Sequence, residues 1–150
     1  MEKYRANVAA VVLDSKKQIL IFEREDHLGW GFPQGGIEKD ESEEEALRRE
    51  LSEELGVKDF DILAKAPEKL RYDFPDGKNI RGWDFIGQEQ QYFLVQLAVK
   101  TKINLNSFPE EIEFLSYQTK NLDEILETDF GIKTAIYHKA LEYFEKIILE

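Results

Sequence analysis

Gly35-Gly-Ile-Glu-Lys-Asp-Glu-Ser-Glu-Glu-Glu-Ala-Leu-Arg-Arg-Glu-Leu-Ser-Glu-Glu-Leu-Gly-Val57 is the stretch on which the reading of the chain turns. Two glycines lead into it. Ser42 followed three residues later by Glu45 is a capping-box pair, and Gly56 suits the position just past a helix end, so a helix of roughly three turns is expected between them. At about 100° per residue, Leu47, Leu51 and Leu55 form one stripe that must face a core. Glu50, Glu53 and Glu54 fall within a separate arc of about 100°. Like charges three and four residues apart repel by about 0.2 to 0.5 kcal/mol per pair on a bare helix. A folded chain gains nothing from that repulsion unless a cation sits there. Hard divalent ions such as Mg²⁺ take oxygen ligands, commonly a few carboxylates together with substrate phosphates and water. Glu41, Glu43, Glu44 and Glu45 are read differently, as ordinary surface and first-turn residues favoured by the helix dipole.

The rest of the chain bounds what surrounds this helix. At 150 residues and 42% apolar content, it is expected to form one domain with its own core. The net charge is −11, with 31 acidic against 20 basic residues. That balance argues against a broad surface gripping a nucleic-acid backbone, so any nucleic acid is expected to be held locally, at one end. With no cysteine, a thiolate metal site or nucleophile is excluded, and any metal is held by oxygen or histidine. No apolar run approaches 18 residues and the N-terminus lacks a signal-peptide core, which points to the cytoplasm and away from a membrane.

Before the helix, Asn7 to Leu13 is a continuous apolar run expected to be a buried strand. Asp14 to Lys17 reads as a turn and Gln18 to Glu23 as a second strand, making a hairpin. Arg24 to Gly29 reads as a loop. After the helix, strands are expected at Phe60 to Ala64, Lys69 to Phe74, Gln90 to Val99 and Ile112 to Gln118. Pro75-Asp76-Gly77 is a turn signal, Lys78 to Gly87 a loop with room for an edge strand, and Thr101 to Glu110 a surface loop. Asn121 is placed to cap a short helix from Leu122 to Glu127, and a last amphipathic helix is expected from about Ile132 to Ile148. A compact mixed α/β domain follows from this order.

From Gly35 through Glu41, Arg49-Glu50-Leu51, Glu53-Glu54 and Gly56, the helix stretch resembles the Nudix box at every defined position. The resemblance implies a Nudix hydrolase with an α/β/α sandwich, a mixed central sheet and a catalytic loop-helix-loop, cleaving a nucleoside diphosphate linked to another group. It implies Mg²⁺ or Mn²⁺, two or three ions with substrate bound, held by Glu50, Glu53 and Glu54. Arg49 would orient a carboxylate by a charge-assisted bond, and Gly35, Gly36 and Gly56 are the box glycines. Glu41 in this family is more often structural.

Three flanking pieces, Tyr4 to Ala9, Trp30 to Gly36 and Gly87 to Leu94, are similar to the bacterial RNA pyrophosphohydrolase branch, which shares them with dinucleoside polyphosphate hydrolases. That implies release of pyrophosphate from a 5′-triphosphorylated RNA end, leaving a monophosphate on which mRNA decay proceeds. Glu53 is the first choice for the carboxylate that accepts the water proton, with Glu50 and Glu54 as rivals. A further acidic ligand is expected from Pro109-Glu110-Glu111-Ile112-Glu113-Phe114, where the match is split between Glu110 and Glu113 and the register favours Glu113. Arg5, Arg24 and Lys133 match positions that contact the RNA end or its phosphates, and Gln88 is placed to offer its amide to a phosphate or base. Trp30, Tyr72, Phe74 and Trp83 are candidates for stacking on a base, although rings in a small domain are more often core. His27 and His138 have no partner that suggests ligation.

The segment from Gly87 carries Glu89 and Gln91 where relatives usually place Lys or Arg. Ile132 stands where relatives place a Phe that holds a base. The alternatives are a hydrolase of diadenosine polyphosphates, a housecleaning nucleoside triphosphatase and, from another class, a non-catalytic nucleotide-binding module. A monomer is expected, and these residues do not specify a protein activator.

Overall fold

A computed structural model describes residues 3–75 and 84–150. Trp83, most of the Pro75-Asp76-Gly77 turn and most of the Lys78 to Gly87 loop lie outside those residues. The two apolar runs that the sequence sets apart lie side by side at the middle of the sheet. Strand β1, Tyr4–Leu13, pairs in parallel with β7, Gly87–Leu97, from Tyr4 opposite Gly87 to Leu13 opposite Gln96. Parallel strands are buried on both faces, which is why these segments read as runs of Val, Ala, Leu and aromatics. The other strands are β2 (Ile19–Arg24), β3 (Trp30–Gly31), β4 (Gln34–Gly36), β5 (Phe60–Lys65), β6 (Leu70–Asp73) and β8 (Phe114–Lys120). The eight-stranded sheet has the order β3-β2-β1-β7-β5, with β4 also pairing β1, β6 pairing β7 and β8 pairing β2.

Side-chain alternation along β1 assigns one core to each face of the sheet. Val8, Ala10 and Val12 pack with Ala46, Leu47, Leu51 and Leu55 of helix α1, Glu43–Leu55. Ala9, Val11 and Leu13 pack on the opposite side, with Leu122 and Ile125 of α2 (Leu122–Leu126) and Ile136, Ala140 and Phe144 of α3 (Thr134–Ile148). The result is helix, sheet, helix: the sandwich that the resemblance implies.

The helix boundaries follow their caps. Ser42 and Glu45 exchange the two capping-box bonds at the start of α1, and Gly56 ends it in the left-handed conformation with φ 67°. Asn121 and Glu124 form a second capping box on α2. The segment expected to be only a surface loop has a structural task. Asn104 N–H donates to Leu55 O at 2.7 Å, and the Ser107 hydroxyl lies 3.0 Å from Ser52 O and 3.1 Å from Glu53 O. These bonds reach the Glu53 and Leu55 carbonyls at the end of α1, and add a second donor to Ser52 O, which already accepts from Gly56 N–H.

Other boundaries differ from the sequence reading. β7 ends at Leu97, because Val99 lies beyond the sheet and is 82% exposed. β8 starts at Phe114, two residues late, since Pro109–Glu111 forms a 3-10 turn first. Gly131–Lys133 makes another 3-10 turn, so α3 begins at Thr134. β3 and β4 are too short to show a period of their own and exist through pairing with β2 and β1.

Ser42→Ala removes one of the two capping-box bonds. It is expected to cost about 1 kcal/mol, read as a lower urea midpoint with an unchanged slope.

Candidate active site

A cleft of about 720 Å³ opens where β4, β1, β7 and β6 end beside the exposed flank of α1. Glu50, Glu53 and Glu54 line it from the helix, as their spacing predicts, and Glu113 joins them from the segment before β8. Glu111 also lines the cleft, whereas Glu110 does not, so the acidic segment beyond the box contributes one residue that the register argument passed over. Arg5, Arg24 and Lys133 line the same cleft from β1, the end of β2 and the turn before α3. Gly56 and both histidines lie outside it.

Arg49 ties the acidic wall together. Its guanidinium holds Glu41 through two bonds, of 2.7 and 3.0 Å, Glu50 at 2.8 Å and Glu53 at 3.4 Å, and donates to Gly36 O at 2.8 Å. The hydrogen bonds from Arg49 hold the Glu41 carboxyl below the ordinary range, and the same bonds raise the Arg49 pKa. Glu41 is therefore no ordinary surface residue: its side chain is 13% exposed and anchors Arg49. Two glycines make the crowding feasible. A Cβ at Gly35 would collide with the Glu50 carboxyl, and one at Gly36 with the Arg5 guanidinium.

Glu54 is the strained member of the wall. It is 6% exposed, and its Oε2 has no hydrogen-bond partner among the described residues. Burial, and then the charge of Glu50, push its carboxyl well above the ordinary carboxylate range. Burial and Glu50 push Glu53 the same way. Among the described residues no three acidic or histidine side chains converge as a ready-made metal cage. Glu50 is engaged by Arg49, and its carboxyl still stands beside that of Glu54. The donors nonetheless fit a hard divalent cation, since they are all oxygen, crowded, and include one buried carboxylate oxygen lacking a partner.

On the opposite side, Arg24 and Asp26 form a bidentate ion pair, and Lys133 lies 5.4 Å from the centre of the Tyr72 ring. That cation occupies one face of Tyr72, while Trp30, Phe74 and Ile132 line other parts of the cleft. Gln88 lines the cleft but is 5% exposed, with its amide engaged by Asn7 and Tyr72. The two departures on β7 have partners of their own. Glu89 pairs with Arg71 at 2.8 Å, and Gln91 donates to Ala66 O at 2.9 Å, so neither side chain lines the cleft.

A three-layer fold with an acidic helix on one side of a cleft and cations on the other suits a polyphosphate held together with divalent ions. The chain belongs to the Nudix family: the family's NUDIX domain model matches residues 3–137. Nudix hydrolases generally use divalent metals such as Mg²⁺ or Mn²⁺. The chain is similar to proteins named RNA pyrophosphohydrolase. That of Helicobacter pylori is 39% identical over 97% of this chain and 96% of its own length, and that of Campylobacter jejuni subsp. jejuni is 43% identical over 97% and 95%. Among solved structures, a MutT protein from Methanosarcina mazei superposes with TM-score 0.68 at 19% identity, covering 97% of this chain and 96% of that one. A C. elegans Ap4A hydrolase superposes with TM-score 0.68 at 16% identity, over 95% and 98%. At these identities the structures share the fold alone. No helix among the described residues is long and apolar enough to cross a membrane.

Glu54→Gln replaces a buried charge by an amide of the same shape. In chelator-treated protein it is expected to raise stability by about 1 kcal/mol, measured by denaturant melts beside the wild type.

Proposed function

We propose that the chain is a metal-dependent RNA 5′-pyrophosphohydrolase, adding water to a 5′-triphosphorylated RNA end to give a 5′-monophosphate end and pyrophosphate, and so promoting mRNA decay. The observation that carries this reading is the single cleft, with crowded carboxylates on one wall and Arg5, Arg24 and Lys133 on the other. The relatives named RNA pyrophosphohydrolase, matched over nearly their whole length, support the choice of RNA.

Glu50, Glu53, Glu54 and Glu113 would hold Mg²⁺ or Mn²⁺, two or three ions with substrate bound, which supply charge neutralisation at the phosphates and acidify water. The chain's own residues do the rest. Arg49 keeps Glu50 and Glu53 from splaying away, through bonds of 2.8 and 3.4 Å. Glu53 accepts the proton of the attacking water. Its side chain is 37% exposed against 14% for Glu50, and Glu54 is buried, so it is the carboxylate that water in the cleft reaches most readily. Arg5 and Lys133 bind phosphate oxygens, and Arg24 is positioned to meet the RNA beyond them. Trp30, Phe74 and Ile132 wall the cleft where a base would lie. We take the chain to work as one domain and as a monomer, and its similarity to bacterial RNA pyrophosphohydrolases supports a cytoplasmic location.

Purified protein with Mg²⁺ is expected to release pyrophosphate from triphosphorylated RNA with higher turnover efficiency than it cleaves diadenosine tetraphosphate. Much faster cleavage of the dinucleotide would replace the RNA reading by that of a dinucleoside polyphosphate hydrolase, and no turnover of either would favour a binding module. Glu53→Gln and Glu54→Gln are each expected to lower turnover by at least about 100-fold, with the fold retained and neither variant less stable than the wild type. Activity near wild type in both would refute the assigned roles.

A further inference from the structure

Beneath the cleft lies a cluster of side-chain amides that the catalytic assignment does not use. Asn7 on β1, Gln34 on β4, and Gln88 and Gln90 on β7 meet because the strand registers place Asn7 opposite Gln90 and Ala9 opposite Gln34. Asn7 and Gln90 are each 1% exposed and Gln88 5%.

Their orientations can be read in sequence from one end. Arg5 has only donors, so its 3.4 Å contact fixes the Gln88 side-chain oxygen toward it. Asn7 Nδ2 then donates to that same oxygen at 2.7 Å, and with its second proton to Gln34 Oε1 at 2.8 Å. Asn7 Oδ1 accepts from Gln90 Nε2 at 2.8 Å, and that nitrogen also reaches Gln34 Oε1 at 3.0 Å. Gln88 Nε2 donates to the Tyr72 hydroxyl at 2.9 Å and lies 3.4 Å from Gln34 Oε1. Gln90 Oε1 is taken by the Tyr92 hydroxyl at 2.7 Å.

Three amide nitrogens therefore converge on Gln34 Oε1. The opposite flip of Gln34 would turn its own NH₂ against those donors, which a buried network does not tolerate. Gln34 Nε2 has no hydrogen-bond partner among the described residues, and Gln34 lines the cleft. Gln88 cannot serve in the same way, because both ends of its amide are already committed.

We propose that Gln34 is a further substrate-binding residue: the Asn7–Gln88–Gln90 cluster clamps its carbonyl inward, so that its NH₂ donates to a non-bridging phosphate oxygen of the polyphosphate. The inference deepens the polyphosphate reading of the cleft and rests on it. Gln34 is followed by Gly35, against which the Glu50 carboxyl lies, and by Gly36, against which Arg5 lies. A neutral donor there holds a phosphate between cation and carboxylates without competing for the metal.

The decisive variant is Gln34→Glu. Its carboxylate still offers an oxygen to the three buried amides but turns an oxygen, not an N–H, toward the cleft. Gln34→Met removes the donor without adding charge. The probe is inorganic tripolyphosphate with Mg²⁺, titrated by calorimetry, with Gln34→Met reporting the loss of the donor apart from any added charge. Both variants are expected to bind it at least about tenfold more weakly, and to raise KM for triphosphorylated RNA with kcat changed less than about threefold. Should Gln34→Met fail to fold, Gln34→Leu, which also removes the donor without adding charge, takes its place. A folded variant that binds the probe within about twofold of wild type overturns the assignment of Gln34 while leaving the cleft reading in place. A wild-type protein that does not bind the probe sinks the cleft reading, and this inference with it.

Discussion

Everything in the cleft depends on one guanidinium. Carboxylates placed on one flank of a three-turn helix repel, and Arg49 opposes that repulsion by bridging Glu41, Glu50 and Glu53 while reaching across to Gly36 O on the sheet. The last contact fixes the relation between helix and sheet. Because Arg49 bonds the backbone of β4, rotation of α1 about its axis would break the ion pairs and the sheet contact together. A lysine could not reproduce this, since it lacks the planar fork that grips Glu41 at two points.

The face of the sheet toward α3 changes character along its strands in a way that explains where the cleft begins. Going from the C-terminal end of β1 toward its start, the residues on that face are Leu13, Val11, Ala9, Asn7 and Arg5. On β7, beyond Gln96 at the far edge opposite Leu13, the matching series is Leu94, Tyr92, Gln90 and Gln88. The surface passes from apolar, under the helices, to neutral amide, and then to cation at the cleft. The amide zone is needed because a charged group set directly against the apolar core would go unsolvated. Asn7 and Gln90 bond to each other there and, through Gln34, Gln88 and Tyr92, find partners for the rest of their amides.

Much of this was legible in the sequence, and the part that was not has a common cause. Helix α1, its caps and its acidic arc are set by spacings of three and four within one segment, so Ser42, Glu45, Glu50, Glu53 and Glu54 could be placed directly. The buried strands β1 and β7 were visible as apolar runs, though not the polar starts of either: Tyr4, Arg5 and Gly87 to Glu89 join the sheet through pairing. Gln34 and Asn7 acquire their meaning only when four strands come into register, and no local pattern signals that. Trp30 and Tyr72 could be named as aromatic, but only the fold shows that one face of Tyr72 is already covered by Lys133. Val99 misled because β propensity says nothing about where the partner strand ends.

Surface loops ordinarily accept inserted or deleted residues at little cost, since closing a slightly longer loop is a weak entropic term. The segment after β7 is an exception. Asn104 and Ser107 are bonded to the last turn of α1, and a few residues later the same segment delivers Glu111 and Glu113 to the cleft. One added residue between them would either release the helix end or carry the two acidic side chains past their places. The length of this stretch is thus set by the distance between two halves of the acidic wall, and it works as a gauge as much as a connection.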